Sequence, residues 1–163
     1  MDAQQIITLL NLQPHPEGGY FRETYRAAET VADSGRSTPR NLSTCIYYLL
    51  TADTFSCLHK VSSDELFHFY LGDPIEMLQL LPDGSSRIVK IGSNLTAGEA
   101  PQLVIEKGTW QGSRLLAPGR LALIGATVAP GFDYQDYTEG SRAELIAQYP
   151  DRKDLIVELT RKL

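Results

Sequence analysis

Between residues 43 and 132 the chain falls into short β-rich runs at 43–50, 54–60, 65–71, 75–81, 86–91, 102–106, 112–116 and 120–129. Turn clusters punctuate them: Gly72-Asp73-Pro74, Pro82-Asp83-Gly84, Thr96-Ala97-Gly98, Lys107-Gly108 and Ala117-Pro118-Gly119. No stretch between them has the length or the 3.6-residue periodicity of a useful helix. Strands this short and closely spaced bury their apolar faces by folding into a sandwich or a barrel. The expected fold class is therefore all-β.

The two ends read differently. Ile6, Ile7, Leu9 and Leu10 follow Asp2 at helical spacing over 2–11, and Pro14 and Pro16 stop that helix. His15-Pro16-Glu17-Gly18-Gly19 is a turn cluster, with the glycine pair suited to positive φ, and 20–25 then alternates as a strand. Residues 30–41, with Ser34-Gly35-Arg36-Ser37, read as a polar surface loop. Near the other end, Ser141 to Glu144 forms a capping-box pattern before a helix at 142–148. Pro150 ends that helix, and Asp151 is placed to cap a last one carrying Leu155, Ile156, Leu159 and Leu163. With no repeat or linker, residues 1–163 are expected to form one domain: an N-terminal helix in 1–14, a barrel over 15–137 and helices in 141–163. A chain of 163 residues buries roughly two-thirds of its unfolded surface, enough to fold without disulfides.

Charge and cysteine narrow the classes of function. Fifteen basic against twenty acidic residues give a net charge of −5, with no dense basic run, which argues against nucleic acid or an anionic membrane as partner. The apolar runs, about eight residues at most, are too short to span a bilayer. The polar start Met-Asp-Ala-Gln-Gln lacks the pattern of a secretory signal, so a cytoplasmic location is expected. Cys45 and Cys57 sit in apolar runs with no Cys-x-x-Cys spacing, and read as small buried hydrophobes.

The segment that carries chemistry is Asp53 to Gly72. His59 and Glu65 straddle a turn between two strands, where a hairpin can bring imidazole and carboxylate together to bind a divalent metal or to move a proton. By alternation Glu65, Phe67 and Phe69 share one face and Leu66, His68 and Tyr70 the other, so His68 is expected to play a structural or interface role. Trp110 faces opposite to Gln111 and reads as core. Extended backbone over 132–137 would put Phe132, Tyr134 and Asp136 on one face, a candidate stacking wall. Glu17, Tyr20, Arg22 and Glu23, which flank the glycine pair, would form either a pocket wall or an arm exchanged between subunits.

This segment resembles the first motif of the cupin superfamily, G-x5-H-x-H-x3–4-E-x6-G, at His59, Glu65 and Gly72. It departs from it at Asp53 and Val61. The second motif is fainter: Gly108 fits its glycine, Gln111 falls where the family has a third histidine, and Glu106 and Leu115 replace its proline and asparagine. Five blocks in order are similar to the small single-domain cupins of unknown function (Cupin_5). They are His15-Pro-Glu-Gly-Gly-Tyr-Phe-Arg-Glu23, Ile46–Leu50, Phe55–His59, Ser63–Gly72 and Val128–Tyr134.

The resemblance implies a double-stranded β-helix jelly roll, usually dimeric, similar in shape to the dTDP-sugar 3,5-epimerases. It implies a small-molecule ligand, and by analogy proton transfer with His59 as base, Glu65 orienting it, Tyr20 or Tyr134 as acid and Asp64 as a candidate second carboxylate. Arg22, Gln111 and Phe132 would complete the ligand contacts. No cofactor is certain. In a second version His59, Glu65 and Gln111, with His68 as a further candidate, hold zinc, nickel, manganese or iron. In a third the barrel is a non-catalytic binding module.

Overall fold

The structure is a computed structural model that describes residues 1–32 and 35–161; Ser34 of the polar loop and Leu163 of the last helix lie outside the described residues. In chain order the elements are α1 (Ala3–Leu9), β1 (Gln13–Pro14), β2 (Tyr20–Arg26), β3 (Thr30–Val31), β4 (Arg40–Asn41), β5 (Thr44–Thr51), β6 (Phe55–Val61) and β7 (Asp64–Gly72). Then come β8 (Ile75–Leu80), β9 (Ser86–Ile91), β10 (Gln102–Ile105), β11 (Trp110–Leu115), β12 (Leu121–Ala129), β13 (Tyr137–Glu139), α2 (Arg142–Gln148) and α3 (Lys153–Glu158). Each run read from the sequence is a strand, displaced at its ends by no more than a residue or two.

Antiparallel pairing builds one sheet in the order β1-β2-β5-β12-β7-β10 and a second in the order β13-β6-β11-β8-β9, with β3 and β4 as a separate ribbon. Two such sheets enclosing a common interior form the jelly roll that the resemblance implies. The core between them is apolar, with Leu50, Ile75, Met77, Ile91 and Ile124 fully buried. Terminal helices cover parts of the outer faces. Ile6 of α1 and Leu12 pack on Leu49, Leu121 and Leu123 of the first sheet. Leu145, Tyr149, Ile156 and Leu159 pack on Leu58, Leu78 and Leu80 of the second, together with Trp110, which packs in this cluster as its reading as core implies.

Capping follows the sequence at one end only. The Asp2 carboxylate accepts from the Gln5 amide at 2.9 Å and the Gln5 side chain accepts from the Asp2 amide at 2.8 Å, a complete capping box. Ser141 makes no such bond. The Arg142 guanidinium instead ties the first turn of α2 to Thr160 Oγ1 (2.8 Å) and the Val157 carbonyl (3.1 Å), so a tertiary contact replaces the local cap. Asp151 lies inside a 3₁₀ turn, Pro150–Arg152, and does not cap α3, which starts at Lys153 without a side-chain cap.

Candidate functional site

Register decides which side chains face the interior. Across the first sheet the rows Phe21–Tyr48–Ile124–Phe69, Glu23–Ile46–Ala126–Phe67 and Arg26–Thr44–Val128–Glu65 stand opposite one another on adjacent strands. Because side chains alternate, these rows share the inner face. A bulge between Glu23 and Tyr25 lets Arg26 follow Glu23 onto that face. On the facing sheet, β6 and β11 pair His59 with Gln111.

The space between these rows is a cavity of about 500 Å³. Its apolar wall includes Phe21, Ile46, Val61, Phe67 and Val128, and its polar groups include His15, Glu17, His59 and Glu65. Glu23, Arg26, Phe132, Asp133 and Tyr134 also line it. Glu17 arrives by the glycine turn. The Gly18 amide donates to the His15 carbonyl and the His15 amide to the Gly19 carbonyl, both at 3.0 Å. The turn is pinned between the sheets: the Glu17 carbonyl accepts from the Cys57 amide (3.0 Å), and the Gly18 carbonyl accepts from the Tyr48 hydroxyl (2.7 Å). Gly18 and Gly19 have φ of +113° and +69°, as the sequence predicts, and a Cβ on Gly18 would lie 2.0 Å from the Phe55 carbonyl oxygen.

Hydrogen bonds fix the imidazole tautomers. His59 Nδ1 lies 2.8 Å from the Cys57 carbonyl, which only accepts, so Nδ1 carries a proton. Its other nitrogen, Nε2, lies 3.5 Å from Glu17 Oε1. His15 has the opposite tautomer, since its Nδ1 accepts from the Glu17 amide at 3.1 Å. Glu17 is further held by the Ser56 hydroxyl, which donates to Oε2 at 3.3 Å. Gln111 donates its amide N–H to Glu65 Oε2. Tyr137 stacks on the His59 ring, centroids 5.4 Å apart.

Burial sets the protonation of this cluster. It pushes the Glu17 carboxyl up to about 8, against a downward pull from the Ser56 hydrogen bond. Burial likewise raises Glu65 to about 7, with nearby His59 and the Gln111 bond pulling the other way. It lowers His59, against the attraction of Glu65 and the Cys57 carbonyl, and lowers His15 to about 4, helped by the positive fields of His59 and Arg161. At neutral pH both imidazoles are thus neutral, Glu17 is protonated and Glu65 is close to half ionised. With Glu17 protonated and His59 neutral, the 3.5 Å approach of Glu17 Oε1 to His59 Nε2 is a contact between neutral groups rather than an ion pair.

The expected residues divide. His59, Glu65, Phe132 and Tyr134 line the cavity, and Gln111 lies behind Glu65, fully buried. Tyr20 and Arg22 do not line it: alternation along β2 sends Phe21 and Glu23 inward, so Tyr20 packs in the α1 cluster and Arg22 lies over the Tyr47 ring outside. Asp64 is turned to the Lys107 amide (2.8 Å) at an exposed turn. Asp136 does not share a face with Tyr134, because Tyr134–Asp136 is a 3₁₀ turn and the buried Arg40 guanidinium holds the Asp136 carboxylate at 2.8 and 3.0 Å. His68 faces outward as its alternation predicts, bonded to Thr127 and Gln102 at 3.2 Å each. The sequence marks Glu17 only as a possible wall and Tyr137 only as the end of the 132–137 stretch, and it does not mark His15, Tyr48 or Arg26 for the site. The available signal was a carboxylate set in a His-Pro-Glu-Gly-Gly turn between aromatic strands.

Residues 4–139 match the Cupin_5 family, described as cupin superfamily (DUF985). The chain belongs to Cupin_5. An uncharacterized protein of Saccharomyces cerevisiae is 35% identical over 148 residues, covering 83% of this chain and 73% of its own. A hypothetical protein from Leishmania major superposes with a TM-score of 0.93 at 32% identity, covering 99% of this chain and 100% of that one. A cupin 2 domain-containing protein from Halorhodospira halophila shares the fold alone, with a TM-score of 0.58 at 9% identity over 93% of this chain and 88% of that one.

The cupin likeness puts a divalent metal at His59, Glu65 and Gln111, and the donor set of this Cupin_5 chain does not fit one. Among the described residues no group of three or more His, Cys, Asp or Glu side chains converges to hold a metal ion. Gln111 turns a hydrogen-bond donor, not its carbonyl, toward Glu65. His59 is then the one imidazole in the proposed set, short of the ligands that zinc or iron sites require.

Proposed function

We propose that the cavity binds a small polar metabolite of sugar type and moves a proton on it, as an isomerase or epimerase does. The observation that carries this reading is the placement of Glu17 Oε1 3.5 Å from His59 Nε2, with Glu65 in the same buried cavity. Two carboxyl groups whose surroundings hold them near neutrality, at different values, supply an acid and a base together. A passive apolar pocket has no use for buried carboxyls, which cost several kcal/mol to desolvate when ionised.

In this reading the ionised Glu65 takes a proton from the carbon next to the ligand's carbonyl, and the C–H electron pair becomes the C=C bond of an enediol. The carbonyl oxygen takes the proton of the neutral Glu17 carboxyl. Return of both protons, one to the opposite carbon or face, gives the isomer with no net gain or loss of protons or electrons. His59 keeps its orientation through the Cys57 carbonyl, and Gln111 holds Glu65 in place.

Solvent exchange tests this. Incubated in D₂O with a panel of aldoses and ketoses, the wild-type protein should incorporate deuterium next to the carbonyl, read by NMR. Glu65→Gln should slow exchange by roughly 10²–10⁴-fold. Binding without exchange would reduce the cavity to a binding module. We also propose a homodimer through the outer face of the first sheet, supported by the exposed Tyr25, Tyr70 and Val104 there. A monomer in analytical ultracentrifugation would refute that.

A further inference from the structure

We propose that the ligand is an uncharged, hydroxyl-rich small molecule, and that phosphorylated and nucleotide-linked sugars are not its substrates. This rests on the reading of the cavity as a sugar-type site and narrows its substrate class. Recognition of a phosphate or pyrophosphate needs uncommitted Arg or Lys donors, or the open N–H groups of a helix start. The described residues that line the cavity supply neither.

Arg26 is the guanidinium among them, and its donors are spent. Nε and Nη2 form a fork onto Glu23, at 2.9 and 2.7 Å. Nη1 donates to Asn41 Oδ1 at 2.8 Å, and Nη1 and Nη2 both reach the Phe132 carbonyl at 3.2 Å. The 3₁₀ turn at Tyr134 is closed by its own cap, since the Asp133 carboxylate accepts from the Gln135 amide at 2.9 Å. The imidazoles add no cation: both are neutral, His59 Nδ1 is used on the Cys57 carbonyl, and His15, whose Nδ1 accepts from the Glu17 amide, offers only one uncharged Nε2–H.

What the cavity does offer is acidic and apolar. Glu17, Glu23, Glu65 and Asp133 all line it. A phosphate dianion entering here would give up its water without gaining a free cation, and would meet carboxylates. Hydroxyl groups suffer neither penalty. They donate to carboxyl oxygens, while Phe21, Phe132 and Tyr134 present ring surface to the C–H face of a sugar. A volume of about 500 Å³ lies within the range of small-molecule pockets.

Protein-observed ¹H–¹⁵N NMR on the whole chain decides it, with matched pairs: neutral pentoses and hexoses against their phosphate monoesters, UDP-glucose and inorganic phosphate. The expected result is that neutral sugars shift the signals of Glu23, Tyr134 and His59, and that the phosphorylated members bind at least tenfold more weakly. Glu23→Gln, which weakens the hold on Arg26, should improve phosphate-ester binding several-fold, and no gain would overturn the charge argument. Tighter binding of esters or phosphate by the wild type would overturn this inference and leave the sugar-type site standing. Shifts from neither class in the folded protein would overturn both.

Discussion

At the scale of single residues, the site is governed by what each ring nitrogen and carboxyl oxygen is already bonded to. The Cys57 carbonyl fixes the proton of His59 on Nδ1, so Nε2 is left for Glu17. Nitrogen-15 NMR at pH 7 should therefore find His59 neutral and protonated at Nδ1, and His15 neutral and protonated at Nε2; a cationic His59 would contradict this assignment. Gln111 favours the ionised form of Glu65 by donating to it. Gln111→Ala removes that donor, so Glu65 should titrate at higher pH, and the rise of the deuterium-exchange rate with pH should move the same way. An unmoved profile would mean that Gln111 does not tune Glu65. His59 and Glu65 were legible because each stands at a motif position. Glu17 was not, because its burial depends on contacts of the turn with Phe55 and Cys57, nearly forty residues away in sequence.

At the scale of elements, alternation within a strand was readable and pairing between strands was not. The run 65–70 places Glu65 and Phe67 inward and His68 outward on its own evidence, and the sheet agrees. The same logic was available for 20–26, yet which of its two faces points inward is set by pairing with β5, a non-local choice that sends Phe21 and Glu23 to the cavity. Extended backbone over 132–137 would align Tyr134 with Asp136, but a distant arginine, Arg40, captures Asp136 and the chain turns there. The glycine turn is the most sensitive element. Gly18→Ala meets both a positive φ and a backbone oxygen at 2.0 Å, so it should destabilise the fold by about 3 kcal/mol or more in urea unfolding. Loss of less than about 1 kcal/mol would show that the turn is not pinned as described. His68→Ala, on the outer face, should leave proton exchange unchanged.

At the scale of the whole molecule, holding neutral carboxyls inside the fold makes stability depend on pH. A carboxyl whose value is raised on folding costs nothing in acid, where both states are protonated. Its penalty starts once the unfolded chain ionises near 4.5 and grows until the folded group ionises as well. For Glu65 the growth ends near 7, and for Glu17 near 8. Between pH 7 and 8, with the histidines largely neutral in both states, Glu17 should erode stability by about 1 kcal/mol, and Glu65, already half ionised at pH 7, by about a third of that. Urea unfolding at the two pH values should show the combined loss in the wild type and only the smaller Glu65 share in Glu17→Gln; equal losses in the two proteins would count against a buried neutral Glu17. The central claim is that two carboxyls with separated, near-neutral titrations share a cavity with two neutral imidazoles. Carboxyl ¹³C NMR across pH 4 to 10, with Glu17→Gln and Glu65→Gln assigning the signals, measures it directly. The account predicts midpoints near 8 for Glu17 and near 7 for Glu65. Both groups titrating together near 4.5 would contradict it.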